Sequence, residues 1–181
     1  MLFSSRRYLR LQLPKIITIC LTALMLMSGP AFAQCRVEAY FSPYDDIEMV
    51  VLDGLSDARE SVKCSLYGIT NEDITETLIY LMSHKVKVTL CLDKTQSAGK
   101  GSTHKKLEDA GAEIVIKKSG VLEHNKFCII DGATVIVGSW NFSGSAQKQD
   151  NSTVEITGCS DIIKKFSDAF ERIYQRDKKE K

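Results

Sequence analysis

The sequence predicts a single α/β domain with a mixed, largely parallel β-sheet flanked by helices. From residue 37 onward, short aliphatic and β-branched runs alternate with segments whose apolar residues recur at helical spacing. This β-α-β-α-β pattern lays strands side by side beneath covering helices. Further along, the apolar runs KFCII and TVIV flank Asp131-Gly132 and read as a hairpin. The 181 residues, 44% of them hydrophobic, suffice for one buried core.

The elements follow in order. Val37 to Ser42 reads as the first strand, closed by Pro43, and Asp45 or Asp46 caps a helix carrying Ile47, Val50, Val51, Leu55 and Ala58. Val62 to Tyr67 is a buried strand that ends at Gly68. Asn71 caps the next helix, whose Ile74, Leu78, Leu81 and Met82 face inward, and Val86 to Leu92 is the third strand. The stretch 93–103, DKTQSAGKGST, is a polar loop at the end of that strand, where ligands gather in open α/β sheets. Lys94 and Lys100 in it, and Lys105 opening the next short helix, are candidates to hold a substrate phosphate; a solvated loop face is the alternative reading. Gly111 ends that helix, and Glu113 to Lys118 is a strand before the hairpin. Val154 to Thr157 is the last strand, and Ser160 caps a terminal helix striped by Ile163, Phe166, Phe170, Ile173 and Tyr174. His84 and His104 read as exposed surface histidines. Lys117, Lys118 and Lys148 either extend the basic patch or form a solvated face.

Residues 1–33 read as a targeting segment: Arg6, Arg7, Arg10 and Lys15, then an apolar stretch over 16–27, then Ala31-Phe32-Ala33 as an A-x-A cleavage site. Export after cleavage behind Ala33, to a periplasm or the medium, is the expectation. Residues 16–27 are short against the about 20 needed to span a bilayer, so an uncleaved anchor is the alternative. Without the four basic residues of this segment, 20 basic face 23 acidic residues, a net of −3. Bulk charge therefore gives no argument for nucleic acid, and any basic surface is local. Of the five cysteines beyond Ala33, Cys64, Cys91 and Cys128 lie within strands and read as small buried hydrophobes. A Cys35–Cys159 disulfide after export stays open. No cysteine–histidine grouping has metal-ligand spacing, and no metal is assigned.

The chemistry concentrates in His124 to Asn141, HNKFCIIDGATVIVGSWN. On a strand, His124 and Lys126 project from one face, whereas Asp131 lies an odd number of residues away and faces elsewhere. Ser139 and Asn141 form a second same-side pair. Neutral imidazole is a nucleophile near pH 7. A fixed ammonium and an amide N–H can stabilise negative charge that develops on oxygen, with Ser139 assisting. Trp140 reads as packing against the hairpin, base stacking being the alternative.

This spacing, H-x-K-x4-D-x6-G-S-x-N, resembles the signature of the phospholipase D superfamily, with His124, Lys126, Asp131, Gly138, Ser139 and Asn141 at its fixed positions. The stretches YFSP, SVKCSLYGIT and VKVTLCLDKTQSAGK are similar to that family too. With one signature in a short chain, the protein most resembles the small bacterial endonucleases and their mitochondrial relatives. The resemblance implies a phospholipase D-like sandwich and a phosphodiesterase that needs no metal or cofactor. It also implies a homodimer, because one signature supplies one histidine and the leaving group needs another. One His124 would form a phosphohistidine while that of the partner subunit serves as acid and base. Asp131 is then orienting structure. Nucleic acid is the expected substrate; phospholipid, or a catalytically impaired homologue that only binds nucleic acid or a partner, are the alternatives. One departure stands out. Relatives carry an N-x-E-N segment whose glutamate orients the nucleophilic histidine, whereas 150–155 here read DNSTVE. Ser152, or Thr153 after a one-residue shift, occupies the glutamate position, leaving Asp150 or Glu155 as possible substitutes.

Overall fold

The computed structural model describes residues 34–117 and 120–179. The targeting segment read over 1–33, its anchor alternative and Lys118 lie outside them. The elements are β1 (Arg36–Ser42), α1 (Ile47–Ser56), β2 (Ser61–Leu66), α2 (Glu72–Ser83), β3 (Lys87–Leu92), α3 (Lys94–Ser97), α4 (His104–Asp109), β4 (Glu113–Ile116), β5 (Lys126–Ile130), β6 (Thr134–Gly138), β7 (Asn151–Thr157) and α5 (Ser160–Lys178), with a 3₁₀ turn at Ala146–Lys148. Local chemistry sets their starts. Asp46 accepts from Met49 N–H and Asn71 from Ile74 N–H, each satisfying a donor of the first helical turn. The stretch 93–103 is not all loop: Asp93 accepts from the N–H groups of Thr95 and Gln96 and starts α3. Cys159, not Ser160, occupies the N-cap of α5.

The strands form one mixed seven-stranded sheet in the order β1-β7-β6-β5-β2-β3-β4. Helices flank it, as expected, but the balance of directions differs. Only β2–β3 and β3–β4 are parallel; the pairings β2–β5, β5–β6, β6–β7 and β1–β7 are antiparallel. Helical crossovers link β2, β3 and β4, whereas β5 and β6 meet through a tight hairpin and β7 folds back beside β6. β1 pairs with β7 at the far edge, so its β-α-β link to β2 makes no parallel neighbour.

One sheet face buries Val62, Cys64, Leu66, Val88, Leu90, Cys128, Ile130 and Ile136 with α1 and α2. The other buries Cys91, Phe127, Ile129 and Val135 with Ile163 and Phe170 of α5. Two disulfides tie this core. Cys35–Cys159 joins the start of β1 to the N-cap of α5, and Cys64–Cys128 joins paired positions of β2 and β5. Cys64 and Cys128 are thus not free hydrophobes; of the three strand cysteines only Cys91 is. Burial pushes its thiol up to about 12.

Candidate active site

The pairing register gathers the signature at one end of the sheet. Leu66, the last residue of β2, pairs with Lys126, the first of β5, and Gly138 at the end of β6 pairs with Thr153 near the start of β7. β3 ends at the same edge, just before Asp93. A Cβ on Gly138 would stand 2.1 Å from the Ser152 carbonyl oxygen, so only glycine lets β6 and β7 close here.

His124 lies just before β5, is exposed, and packs its ring against Tyr67 with centroids 4.7 Å apart. Lys126 is buried, 8% exposed. Its Nζ donates to the His124 carbonyl oxygen at 2.8 Å and lies 5.1 Å from the centre of the Tyr67 ring. Burial lowers the pKa of this ammonium, opposed by the nearby Glu123 carboxylate. Among the described residues no carboxylate forms an ion pair with it.

The return strand delivers Ser139 and Asn141. Ser139 Oγ donates to Asn151 Oδ1 at 3.1 Å and accepts from Ser152 N–H at 3.0 Å, tying β6 to β7. Asn141 Oδ1 is buried without a hydrogen-bond partner among the described residues. Trp140 is fully buried and edge-on to Phe142, so its indole belongs to the core.

Asp131 stands at the other end of the hairpin. It accepts the N–H groups of Arg59 at 2.7 Å, Glu60 at 2.8 Å and Ser61 at 2.7 Å, and so fixes the start of β2. Burial alone would raise its pKa, but these donors hold it below the ordinary carboxylate value. Asp131 and Gly132 both have positive φ, 51° and 63°, the left-handed pair that a tight hairpin requires.

Neither candidate substitute for the missing glutamate contacts His124. Glu155 pairs across the sheet with Glu38 and Ile136; burial, with Glu38, Asp57 and Asp53 nearby, raises its pKa. Asp150 is exposed before β7. The loop is held instead by groups that no motif marks. Tyr67, just after β2, has its hydroxyl held by Gln96 Nε2 of α3 at 2.9 Å. Glu123, 2% exposed, accepts from Asn125 N–H at 3.2 Å and Asn125 Nδ2 at 2.7 Å, bracketing His124. The only sequence signal for either is adjacency: Tyr67 closes a strand, and Glu123 precedes His124.

Lys94, Lys100 and Lys105 line one cavity beside α3, separate from the His124 contacts. His104 lines it too and is buried rather than exposed. Lys117 is no surface cation: it is buried and donates to Asp177 at 3.2 Å. Among the described residues no group of three or more His, Cys, Asp or Glu side chains is placed to hold a metal ion.

Residues 51–174 match the family described as cardiolipin synthase, PLD-like domain. The chain belongs to the phospholipase D superfamily. Its relatives include a phospholipase D of Rickettsia bellii, 33% identical over 67% of this chain and 61% of that protein. A mitochondrial cardiolipin hydrolase of Chlamydomonas reinhardtii is 29% identical over 68% of this chain and 55% of that protein. The chain thus spans little more than half the length of these relatives. Among solved structures it superposes on Nuc, a phospholipase D family member from Salmonella typhimurium, with a TM-score of 0.74, 23% identity and coverage of 78% of this chain and 95% of that one. That likeness is one of fold. In this superfamily member the signature's His124, Lys126, Ser139 and Asn141 lie at one end of the sheet, and Asp131 lies at the other end of the hairpin.

Proposed function

We propose that this protein is a metal-independent phosphodiesterase that hydrolyses nucleic-acid phosphodiester bonds through a phosphohistidine on His124, in a site shared by a homodimer. The carrying observation is the Lys126 ammonium, buried beside an exposed imidazole and without a carboxylate partner among the described residues. Burying such a charge is costly. Glu123 acts on it only from beyond ion-pair distance, and the anionic oxygens of a phosphodiester supply a counter-charge in direct contact. An imidazole nitrogen of His124 attacks phosphorus, and the bond to the leaving alkoxide breaks. His124 of the partner subunit protonates that alkoxide, then takes a proton from the water that cleaves the phosphohistidine. The second histidine comes from another copy because the chain has three. His84 ends α2 and His104 lines the lysine cavity, neither in contact with His124. The two disulfides support export to an oxidising compartment, periplasmic or extracellular.

One observation favours phospholipid as a second reading. Val121 and Leu122, just before the catalytic loop, are 76% and 53% exposed, an apolar pair of the kind that meets a lipid surface. Two relatives, a phospholipase D and a cardiolipin hydrolase, agree with it. The deciding experiment is nicking of supercoiled plasmid in EDTA, beside phospholipid hydrolysis and a His124→Ala control. Metal-free nicking lost in His124→Ala supports the nuclease. Lipid turnover without nicking supports the phospholipase, and silence on both from a folded dimer leaves a binding homologue.

A further inference from the structure

A cavity of about 520 Å³ opens between α3, the loop after it, α4 and the end of β4. That size lies within the about 300–1,000 Å³ of ordinary ligand sites. Lys94, Lys100 and Lys105 line it together with Ser97, Ser102 and His104, and no carboxylate does. Among the described residues none of the three lysines forms an ion pair, whereas the adjacent Lys106, outside the cavity, is held by Glu72 at 2.7 Å. Three unpaired cations facing one concavity repel one another, so the surface is primed for an anion.

Ser97 independently points to a ligand. It is 7% exposed, lines the cavity, and its Oγ has no hydrogen-bond partner among the described residues. A serine at a helix end ordinarily back-bonds to a carbonyl four residues earlier. Thr75 does this, its hydroxyl sharing the Asn71 carbonyl with its own N–H, whereas at Ser97 only the backbone N–H bonds the Asp93 carbonyl and the hydroxyl stays unpartnered among the described residues. His104 is also held in place, with Nδ1 against Ser102 Oγ at 2.9 Å.

The cavity adjoins the chemistry without being part of it. Ser97 follows Gln96, whose amide holds the Tyr67 hydroxyl, and the Tyr67 ring packs on His124. One short helix therefore faces the cavity with Lys94 and Ser97 and supports the His124 loop with Gln96.

We infer that this cavity is a second phosphate subsite, which grips a non-reacting phosphate of a polynucleotide strand while a neighbouring phosphodiester lies against His124 and Lys126. Ser97 donates to that phosphate, and Lys94, Lys100 and Lys105 neutralise it. Ile116 and Ala98 give the cavity an apolar wall for the attached sugar. The inference rests on the nucleic-acid reading above and deepens it: a single phosphodiester fills only the catalytic site, whereas a strand fills both.

The test measures binding of a fluorescent 12-nucleotide single strand by the full-length His124→Ala protein, across a salt series. Adding Lys100→Ala and Lys105→Ala weakens binding by about tenfold or more and makes the salt dependence shallower by about 0.7 for each phosphate no longer neutralised. Ser97→Val, which leaves the charge unchanged, weakens binding by about tenfold, as expected when a hydrogen bond to an anion is removed. Lys106→Ala, one residue outside the cavity, serves as the control and stays close to the parent. Equal weakening by Lys106→Ala would reduce the effect to bulk charge and overturn the subsite. So would unchanged binding in the cavity variants, or their selective loss of binding to anionic phospholipid vesicles. If the wild type nicks plasmid but the cavity variants bind normally, the subsite alone falls. If the wild type neither nicks nor binds the strand, the nucleic-acid reading falls with it.

Discussion

The Lys126 ammonium donates to the backbone carbonyl of His124 at 2.8 Å, so the fixed cation of the signature is bound to the segment that carries the proposed nucleophile. The two cannot drift apart independently, which is what a phosphoryl-transfer site needs from its positioning groups. The arrangement conflicts with stability, because Lys126 is buried against an aromatic ring and a carbonyl instead of a carboxylate.

Lys126→Met should therefore separate stability from activity. Removing a buried cation that lacks an ion-pair partner raises unfolding stability by about 1 kcal/mol or leaves it unchanged. Phosphodiester turnover falls by about 10²–10³, the usual consequence of deleting one electrostatic stabiliser. The stability gap also depends on pH. The folded-state pKa of Lys126 is lowered from the ordinary 10.5, so the unfolded chain holds the proton more tightly. The burial cost is fully present below the folded value and fades as pH rises toward 10.5, so the gap between variant and wild type narrows in alkali. Denaturant unfolding across pH checks the sign; a less stable Lys126→Met protein would show that the ammonium is a structural group.

Tyr67 holds the other side of the same pair. Tyr67→Ala removes both the ring packed on His124 and the aromatic face beneath Lys126, and turnover falls by about tenfold as the near-attack geometry loosens. Tyr67→Phe keeps the ring and loses only the Gln96 bond, so it retains most of the activity. A positioning role predicts a fall in kcat with little change in KM. A rise in KM alone would make Tyr67 a substrate contact.

Asp131 is the signature residue whose loss should spare the chemistry. Asp131→Ala removes the acceptor of three backbone N–H groups at the start of β2, two of them in reach of water, and costs roughly 1–2 kcal/mol. Asp131→Asn keeps an acceptor and costs less. The folded-state pKa of Asp131 is lowered below 3.8, so its contribution is complete above that value and is lost as pH falls through the folded one. Acid unfolding of Asp131→Asn should be flatter than wild type below pH 3.8. If turnover per folded molecule collapsed in Asp131→Asn while stability held, the residue would belong to the active site after all.

What the sequence made legible was local. His124, Lys126 and the Asp131-Gly132 turn stand close together on one hairpin, and spacing alone separates their faces and ends. Asn71 and Asp46 announce helix starts because a cap acts three residues away. The contacts that were not legible cross the sheet. Tyr67 and Gln96 reach His124 only because β2 lies beside β5 and β3 beside β2, an order that no local pattern encodes. The proportion of parallel strands is hidden for the same reason, since a β-α-β link does not say which strands become neighbours. Lys117 gave the signal of a surface lysine, and its partner Asp177 lies 60 residues away on α5.

The disulfides give the last prediction. Cys35–Cys159 closes 124 residues and Cys64–Cys128 closes 64. In the chain-entropy account each stabilises the fold by about 4–5 kcal/mol, through the unfolded ensemble it restricts. Their accessibility differs: Cys35 is exposed, whereas Cys64 and Cys128 are buried between β2 and β5. Mild reductant should therefore open Cys35–Cys159 first, lowering Tm while the sheet stays intact, and Cys64–Cys128 should open only as the domain unfolds. Cys91 should resist alkylation until the same point, because its thiol is buried and its pKa is pushed up to about 12. Mass spectrometry after alkylation under native and denaturing conditions reads all three events. Protein recovered from an oxidising compartment with Cys64 and Cys128 as free thiols would remove the cross-strand bridge, and with it the strongest structural support for export.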